Sequence, residues 1–164
     1  MAGVMFLYVG AVLLINGMAG LNRVEPRSMA ILNFLVGLLG LTASLLQLIR
    51  AESTEDYFVV ATFLLFTFTY LYVALSVWFE TGMQGFGWFC FFVAITTLPC
   101  SLVNYQTGET TFAIFWIIWG GLWFMFYRQG AAGTDFGNIL PFSTIGVGVF
   151  TCWIPGLLML TGNW

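Results

Sequence analysis

Residues 57–79 read YFVVATFLLFTFTYLYVALSVWF, a run that contains no charged side chain. A helix needs about 20 predominantly apolar residues to cross the hydrocarbon core of a bilayer. Burying so much apolar surface in water would require a large surrounding protein, whereas a bilayer accepts it directly. The run therefore predicts a membrane-spanning helix.

Five further apolar runs of similar length flank this one. The six predicted spans are residues 3–21, 28–49, 57–79, 86–104, 111–127 and 138–161. The short breaks between them hold nearly all the charge, and Gly and Pro punctuate the same breaks. Only 7% of the residues are charged, against about 25% in a soluble domain. The sequence thus predicts one all-α integral membrane domain over residues 1–164, with six transmembrane helices and no soluble domain.

The absence of certain residue types excludes several classes of chemistry. The chain has no histidine and no lysine, so imidazole-ligated haem, most zinc sites and a Ser-His-Asp hydrolase are excluded. Cys90, Cys100 and Cys152 lie in apolar stretches without paired spacing, which favours buried thiols over metal ligands. We expect no metal or cofactor and no enzymatic activity. A net charge of −3 without a basic cluster argues against nucleic acid.

The arginines indicate an orientation in the membrane. Arg23, Arg27 and Arg128 fall in the first and fifth breaks, on one side, while Arg50 alone lies on the other. The positive-inside rule then places both termini outside the cytoplasm. We expect a multi-pass protein of a bacterial inner membrane, surrounded by lipid.

A weak internal repeat relates the second and fourth spans. Residues 33–37 read NFLVG and residues 90–94 read CFFVA, each followed at a constant register by Leu and then Ser-Leu. The pattern favours three helical hairpins around one axis, with chance similarity between apolar segments as the alternative.

No Asp, Glu, Lys or Arg lies near the middle of any predicted span. Ion- and proton-coupled transporters usually need such a group at depth. A narrow uncharged pore rejects ions by their dehydration cost and still passes neutral polar molecules. The pattern is typical of a conduit for neutral solutes, although a purely structural membrane protein would share it.

Trp116, Trp119 and Trp123 share one face of the fifth predicted helix. Trp119 lies near the centre of its span, where an interfacial aromatic belt does not account for it. The face is either a lipid-facing or packing stripe or the lining of a slot for planar solutes. In the second case the indole N–H groups could donate to a solute carbonyl.

Further candidates lie in the first three spans. Phe66 and Tyr70 share a face of the third helix, and Thr69 and Tyr70 add hydroxyls near mid-membrane, each needing a helix carbonyl or a solute as partner. Asn16 and Asn33 are costly at depth if unpaired, so we expect them to hydrogen-bond each other across the first hairpin.

An ordered set of motifs resembles the AmiS/UreI family. The motifs occur in all six spans: Leu7-Tyr8-Val9-Gly10, Asn16-Gly17, Val24-Glu25-Pro26-Arg27-Ser28, Asn33-Phe34 with Val36-Gly37, Phe68-Thr69-Tyr70-Leu71-Tyr72, Phe92-Val93-Ala94-Ile95, Trp119-Gly120 with Leu122-Trp123, and Trp153-Ile154-Pro155.

The resemblance implies a homohexameric ring in which each protomer encloses its own pore. It also implies a passive channel for urea or short-chain aliphatic amides, such as acetamide and formamide, that feeds a cytoplasmic urease or amidase. The pore-lining residues carried over by position are Phe6, Leu13, Phe66, Tyr70, Trp116, Trp119 and Trp123, to which the hydroxyl argument adds Thr69.

The chain departs from the acid-gated members of that family. Those members are expected to have longer outer loops with histidines and a carboxylate in the last span, where this chain has Val147. Histidine is the usual titrating group near neutrality, so we expect no gating between about pH 5 and 7.5; ordinary carboxyl groups titrate near 4. The alternatives are a proton-coupled amide transporter and a non-transporting membrane scaffold.

Overall fold

The computed structural model describes residues 2–164, and this part of the chain is helical throughout, without a strand. The first five spans are single helices: α1 (Ala2–Gly20), α2 (Pro26–Arg50), α3 (Thr54–Phe79), α4 (Gln84–Gln106) and α5 (Thr110–Gly130). The sixth span, Ile139–Leu160, consists of α6 (Ile139–Val147), a π-helical turn (Gly148–Trp153) and α7 (Ile154–Leu160). Residue 1 of the predicted domain lies outside the described residues.

The predicted six-span all-α architecture is confirmed, because six helices are long and apolar enough to cross a membrane. The helices differ from the predicted spans mainly at their ends, where apolar composition stops being informative. α2 starts at Pro26, two residues before the predicted span. Proline is favoured at the first helical position, because an N–H there would have no acceptor within the helix. α5 runs on to Gly130 and carries Arg128 in its last turn, where a cation is favoured by the helix dipole.

The start of α3 is marked by a capping box. The hydroxyl of Ser53 accepts a hydrogen bond from the Asp56 backbone N–H at 3.1 Å, and the Asp56 carboxylate accepts one from the Ser53 N–H at 3.1 Å. These two bonds satisfy donors that the first helical turn leaves free. They explain why α3 begins before its first apolar residue, Tyr57.

Small residues set which helices pack most closely. α2 lies against α3 at Gly37, where an added Cβ would come within 2.6 Å of Leu71. α4 lies against α5, with Gly120 facing Thr97. α1 lies against the sixth span, and a Cβ at Gly10 would come within 2.7 Å of the Trp153 backbone nitrogen. The closest pairs are therefore α2/α3, α4/α5 and α1 with the sixth span, and the first hairpin, α1 with α2, packs less tightly than any of them.

The outer surface of the bundle is apolar. Ile49, Phe79 and Phe150 are among the most exposed residues, at 81%, 72% and 71%. Large exposed apolar areas in soluble proteins mark interaction sites or aggregation, whereas lipid is the natural solvent for them. Most of the fully buried polar side chains, among them Asn33, Thr67 and Thr97, lie between the helices, and that interior holds the site.

Candidate pore

The tryptophan face of α5 points into the bundle. Trp116, Trp119 and Trp123 are 6%, 4% and 6% exposed, and all three belong to the apolar core. Their spacing of three and four residues stacks them along the inner side of the helix. The lipid-facing interpretation of this face is thereby excluded.

Phe66 of α3 lies opposite these indoles. Its ring centroid is 5.8 Å from that of Trp116, 5.0 Å from Trp119 and 4.8 Å from Trp123. Phe6 of α1 closes the ring cluster from another side, 5.9 Å from Trp119. Tilted and edge-to-face contacts at these distances are favourable for aromatic pairs. Three helices thus hold one aromatic cluster at the centre of the bundle.

Two cavities approach this cluster from opposite ends of the bundle. One, of about 550 Å³, includes Asp135 in its wall and is named here the Asp135 cavity. The other, of about 680 Å³, includes Glu109 and is named the Glu109 cavity. Phe66 and Trp119 are the two residues that belong to both walls. The two rings therefore stand at the meeting point of the two walls. The two cavities and the rings between them are called here the candidate path.

The eight predicted lining residues all lie along this path. Phe6 and Trp116 line the Glu109 cavity, and Phe66 and Trp119 line both cavities. The remaining four line the Asp135 cavity: Leu13, Thr69, Tyr70 and Trp123. Residues from α1, α3 and α5 are therefore brought together although they are far apart in the chain.

The wall of the Asp135 cavity is rich in amides and hydroxyls. Besides Asp135 it contains the polar side chains Asn16, Asn22, Thr69, Tyr70, Gln129, Asn138 and Thr144. It opens where the breaks after α1, α3 and α5 meet, since residues of all three breaks contribute. Val147 also lies in this wall. It stands where the acid-gated members of the resembled family are expected to have a carboxylate.

The wall of the Glu109 cavity is aromatic. Its rings are Phe6, Phe58, Phe63, Phe66, Phe112, Trp116, Trp119 and Trp164. Glu109 is the one carboxylate among the residues that form this wall, and it stands at the start of α5. Trp164 packs against Phe112 with ring centroids 5.7 Å apart. This cavity opens at the end of the bundle that carries the chain termini.

The indole N–H groups of two tryptophans are already bonded within the protein. Trp119 Nε1 donates to Thr151 Oγ1 at 2.8 Å, and Trp123 Nε1 donates to Thr69 Oγ1 at 3.2 Å. Neither indole therefore has a free donor for a solute carbonyl in this structure, because each N–H has one proton and it is in use. Thr69 in turn donates its hydroxyl proton to the carbonyl of Leu65 at 2.7 Å.

Asn16 and Asn33 lie side by side between α1 and α2. Asn33 Nδ2 donates to Asn16 Oδ1 at 2.6 Å, and Asn16 Nδ2 donates back to Asn33 Oδ1 at 3.1 Å. Asn33 also donates to the carbonyl of Met29 at 3.0 Å and is fully buried. The pair supplies polar contacts across a helix interface that is less closely packed than α2/α3, α4/α5 and α1 with the sixth span.

Several residues of the path were missed from the sequence. The sequence shows Asp135 and Glu109 only as charged residues between the predicted spans. It does not link Thr151 or Cys152 to the face of Trp116, Trp119 and Trp123. The π-helical turn displaces Thr151 and Cys152 from the 3.6-residue period, so no periodicity argument could aim them at α5. In the sequence, the local sign of an irregular turn is that Gly148 begins this segment and Pro155 follows it.

The comparisons with known proteins agree with this geometry. Residues 1–163 match the profile described as the AmiS/UreI family transporter. The chain is 31% identical to an acid-activated urea channel of Helicobacter pylori, with all of both proteins aligned. It is 37% identical to a Mycolicibacterium smegmatis protein named as a candidate transporter of amidate substrates, covering 100% of the chain and 78% of that protein. The cryo-EM structure of the H. pylori urea channel in its closed state superposes with a TM-score of 0.92 at 32% identity over the full length of both chains.

Proposed function

The chain belongs to the AmiS/UreI family of transporters, and from that premise we propose that it is a passive, ungated channel for urea and short-chain aliphatic amides. The family assignment made from the sequence motifs is confirmed. Because the family consists of transporters, the chain is a multi-pass membrane protein of that class and not an enzyme. The passive mechanism, the permeant and the absence of gating are the proposal.

One observation carries the proposal: two cavities from opposite ends meet at a pair of uncharged rings, Phe66 and Trp119. An ion would have to give up its hydration shell between these rings without receiving a charged or polar substitute, which is prohibitively costly. Urea and acetamide are neutral and planar, so they can pass between aromatic faces at a much lower cost. The rings thus favour small flat neutral solutes over ions.

Groups for re-solvating such a solute lie in the wall of the Asp135 cavity. Tyr70 and Asn16 both belong to this wall, as does Trp119. A hydroxyl and a carboxamide can exchange hydrogen bonds with the carbonyl and amino groups of an amide. Each bond is worth only about 1 kcal/mol net, and such weak binding is what permits fast release.

The charges along the path support ungated behaviour. The carboxylates in the two walls belong to Asp135 and Glu109, residues of the connecting breaks, and neither lies at the rings. The chain has no histidine, the side chain that most often senses pH between 5 and 8. The alignment with the acid-activated relative spans 194 positions, more than the 164 residues here, so that relative carries segments this chain lacks. The proposed channel therefore conducts at neutral and mildly acid pH alike.

Orientation and assembly complete the proposal. Arg23, Arg27 and Arg128 each adjoin a residue of the Asp135 cavity wall in the sequence, whereas Arg50 lies in the break at the opposite end. By the positive-inside rule the Asp135 cavity faces the cytoplasm, and both termini and the Glu109 cavity face outward. We propose that the protomers form a hexamer with one pore each and that the permeant feeds a cytoplasmic urease or amidase.

The test is solute uptake into proteoliposomes by stopped-flow light scattering. Urea, formamide, acetamide and thiourea are compared at about pH 7.5 and pH 5 against empty liposomes of the same lipid. We expect urea or amide flux well above the bilayer background, equal at both pH values and unaffected by an uncoupler. Flux that depends on a proton gradient would instead support a coupled amide transporter, and flux equal to the background would support a membrane scaffold.

A further inference from the structure

The sixth span is interrupted by a π-helical turn at the depth of the aromatic cluster. Ile154 N–H bonds to the carbonyl of Val149, five residues back, and Pro155 follows directly. Proline has no N–H, and its ring presses on the carbonyl four residues before it, which favours a wider turn at this place. Turns of this kind occur mostly at functional sites. The turn places Thr151 against α5.

Thr151 joins the helix backbone to an indole of the path. Its hydroxyl accepts the Trp119 N–H at 2.8 Å and donates its own proton to the carbonyl of Val147 at 2.7 Å. Thr151 is 4% exposed, so water does not compete strongly for these bonds. Trp119 is one of the two residues that belong to both cavity walls, and Thr151 therefore sets the orientation of a ring at the meeting point.

The same arrangement occurs a second time, on a different helix. Trp123 Nε1 donates to Thr69 Oγ1 at 3.2 Å, and Thr69 Oγ1 donates to the carbonyl of Leu65 at 2.7 Å. One indole is thus held from the sixth span and the other from α3. Two independent chains of indole, threonine and backbone carbonyl are not required for packing alone, since valine would fill nearly the same volume.

Both bonds occupy an indole N–H with an acceptor of the protein itself. The Trp119 donor is also turned toward a residue outside both cavity walls, because Thr151 belongs to neither of them. Phe66 has no polar atom, and the single donor of Trp119 is committed to Thr151, so neither ring of the meeting point offers a free donor. A solute carbonyl therefore meets ring carbon at the meeting point and cannot be retained there by a hydrogen bond. Weak retention is a condition for rapid conduction.

We propose that Thr151 and Thr69 are positioning residues that keep the donors of Trp119 and Trp123 bonded within the protein, where a solute cannot use them, and thereby keep flux from saturating. This inference rests on the proposed channel function. When the Thr151 hydroxyl is removed, the Trp119 N–H loses its partner, and a buried unpaired donor is unfavourable. The Cys152 sulfur also lies within hydrogen-bonding reach of this indole, but sulfur is a weak acceptor. A solute carbonyl is the stronger acceptor, and the channel acquires a binding site in the middle of its path.

The test measures urea flux against urea concentration for the wild type and for Thr151→Val. We expect the half-saturation concentration to fall about two- to tenfold and the maximal flux to fall with it, as one new neutral hydrogen bond implies. Thr151→Ser keeps the hydroxyl and should behave as the wild type. Thr42→Val is the matched control, because Thr42 also donates to a carbonyl of its own helix, that of Leu38 at 2.9 Å, but is exposed and bonds no indole.

Two further measurements keep the inference testable whatever the flux. In a Trp119→Phe background the Thr151→Val change should have no additional effect on half-saturation, because the donor is already absent. Independently of transport, nitrogen-15 spectra of the tryptophan indoles should show one indole N–H signal shifted in Thr151→Val and restored in Thr151→Ser. Thr69→Val should shift a different indole signal, that of Trp123.

The outcomes separate the two hypotheses. Unchanged half-saturation and unchanged indole spectra in Thr151→Val, with a conducting wild type, would overturn the positioning role and leave the channel function intact. A wild type that conducts no tested solute would overturn the channel function, and the positioning role would then be judged by the indole spectra alone.

Discussion

The Asp135 cavity and the Glu109 cavity share two rings and differ in nearly everything else. The first offers a solute amides and hydroxyls, including Asn16 and Tyr70, whereas the second offers mainly aromatic faces. Under the proposed function, a permeant is sorted by shape and dehydration on one side of the rings and re-solvated on the other. The difference teaches how one path can divide selection and release between its two parts.

The largest effect is expected on the stability of the fold, at α1, the helix that lies in the walls of both cavities. α1 contributes to both walls, and its backbone approaches the sixth span at Gly10, where a Cβ would lie 2.7 Å from the Trp153 backbone nitrogen. Backbone cannot yield as a flexible side chain does, so Gly10→Ala should destabilise the fold by about 1–3 kcal/mol. Thermal unfolding in detergent, followed by size-exclusion chromatography, measures this loss.

Gly146→Ala is the matched control for that change. Nothing lies within 4 Å of a Cβ at Gly146 in the same sixth span, and alanine is the better helix former by about 1 kcal/mol. We expect its stability to equal or exceed that of the wild type. Equal unfolding temperatures for the two alanine variants would refute the close approach of α1 to the sixth span.

The second-largest effect is expected on the selectivity between solutes of different size, when a residue that belongs to both cavity walls is removed. Trp119→Ala removes an indole from both walls, so a wider path should admit bulkier solutes. Size discrimination of about 1–3 kcal/mol is lost in such a change, and the ratio of urea flux to thiourea flux should fall by about tenfold or more. Stopped-flow uptake measures the ratio, with Trp88→Ala as the control because Trp88 is 54% exposed and outside both walls.

The fold and half of this site were predictable from the sequence for different reasons. Spans are predictable because the bilayer imposes a length and a composition on each helix independently of its neighbours. The face of Trp116, Trp119 and Trp123 was predictable because an unbroken helix keeps its period. Phe66 was found in the same way on α3.

The rest of the site depends on irregularity and on long-range packing. The π-helical turn rotates Thr151 out of any regular pattern, so its bond to Trp119 could not be foreseen. The direction of the indole N–H groups is decided by that contact and not by α5 itself. The close pairing of α1 with the sixth span depends on backbone approach at Gly10, which composition alone does not locate.

A third and smaller effect should be confined to the polar side of the rings. Tyr70 is 3% exposed and lines the Asp135 cavity. Under the proposed function its hydroxyl receives a solute that has passed the rings. Tyr70→Phe keeps the ring and removes one hydrogen bond, so urea flux should fall about two- to tenfold. Tyr105→Phe, at a residue that is 66% exposed and outside both walls, serves as the control. Equal losses in the two variants would remove the functional distinction between the cavities.

The smallest effect is expected at the carboxylates for which the cavities are named. A neutral solute has no net charge, so a carboxylate at the mouth acts only on its dipole, and water and salt in the open mouth screen that interaction further. Glu109→Gln and Asp135→Asn should therefore leave urea flux within about twofold of the wild type, since each change keeps the shape of the wall and removes only charge.

The same variants should keep the ratio of flux at about pH 5 to flux at about pH 7.5 close to one, because the chain has no histidine to titrate in that interval. A wild-type ratio far from one that returns to one in Glu109→Gln would identify an acid-sensitive gate at the aromatic mouth. The two cavities would then differ in regulation as well as in chemistry.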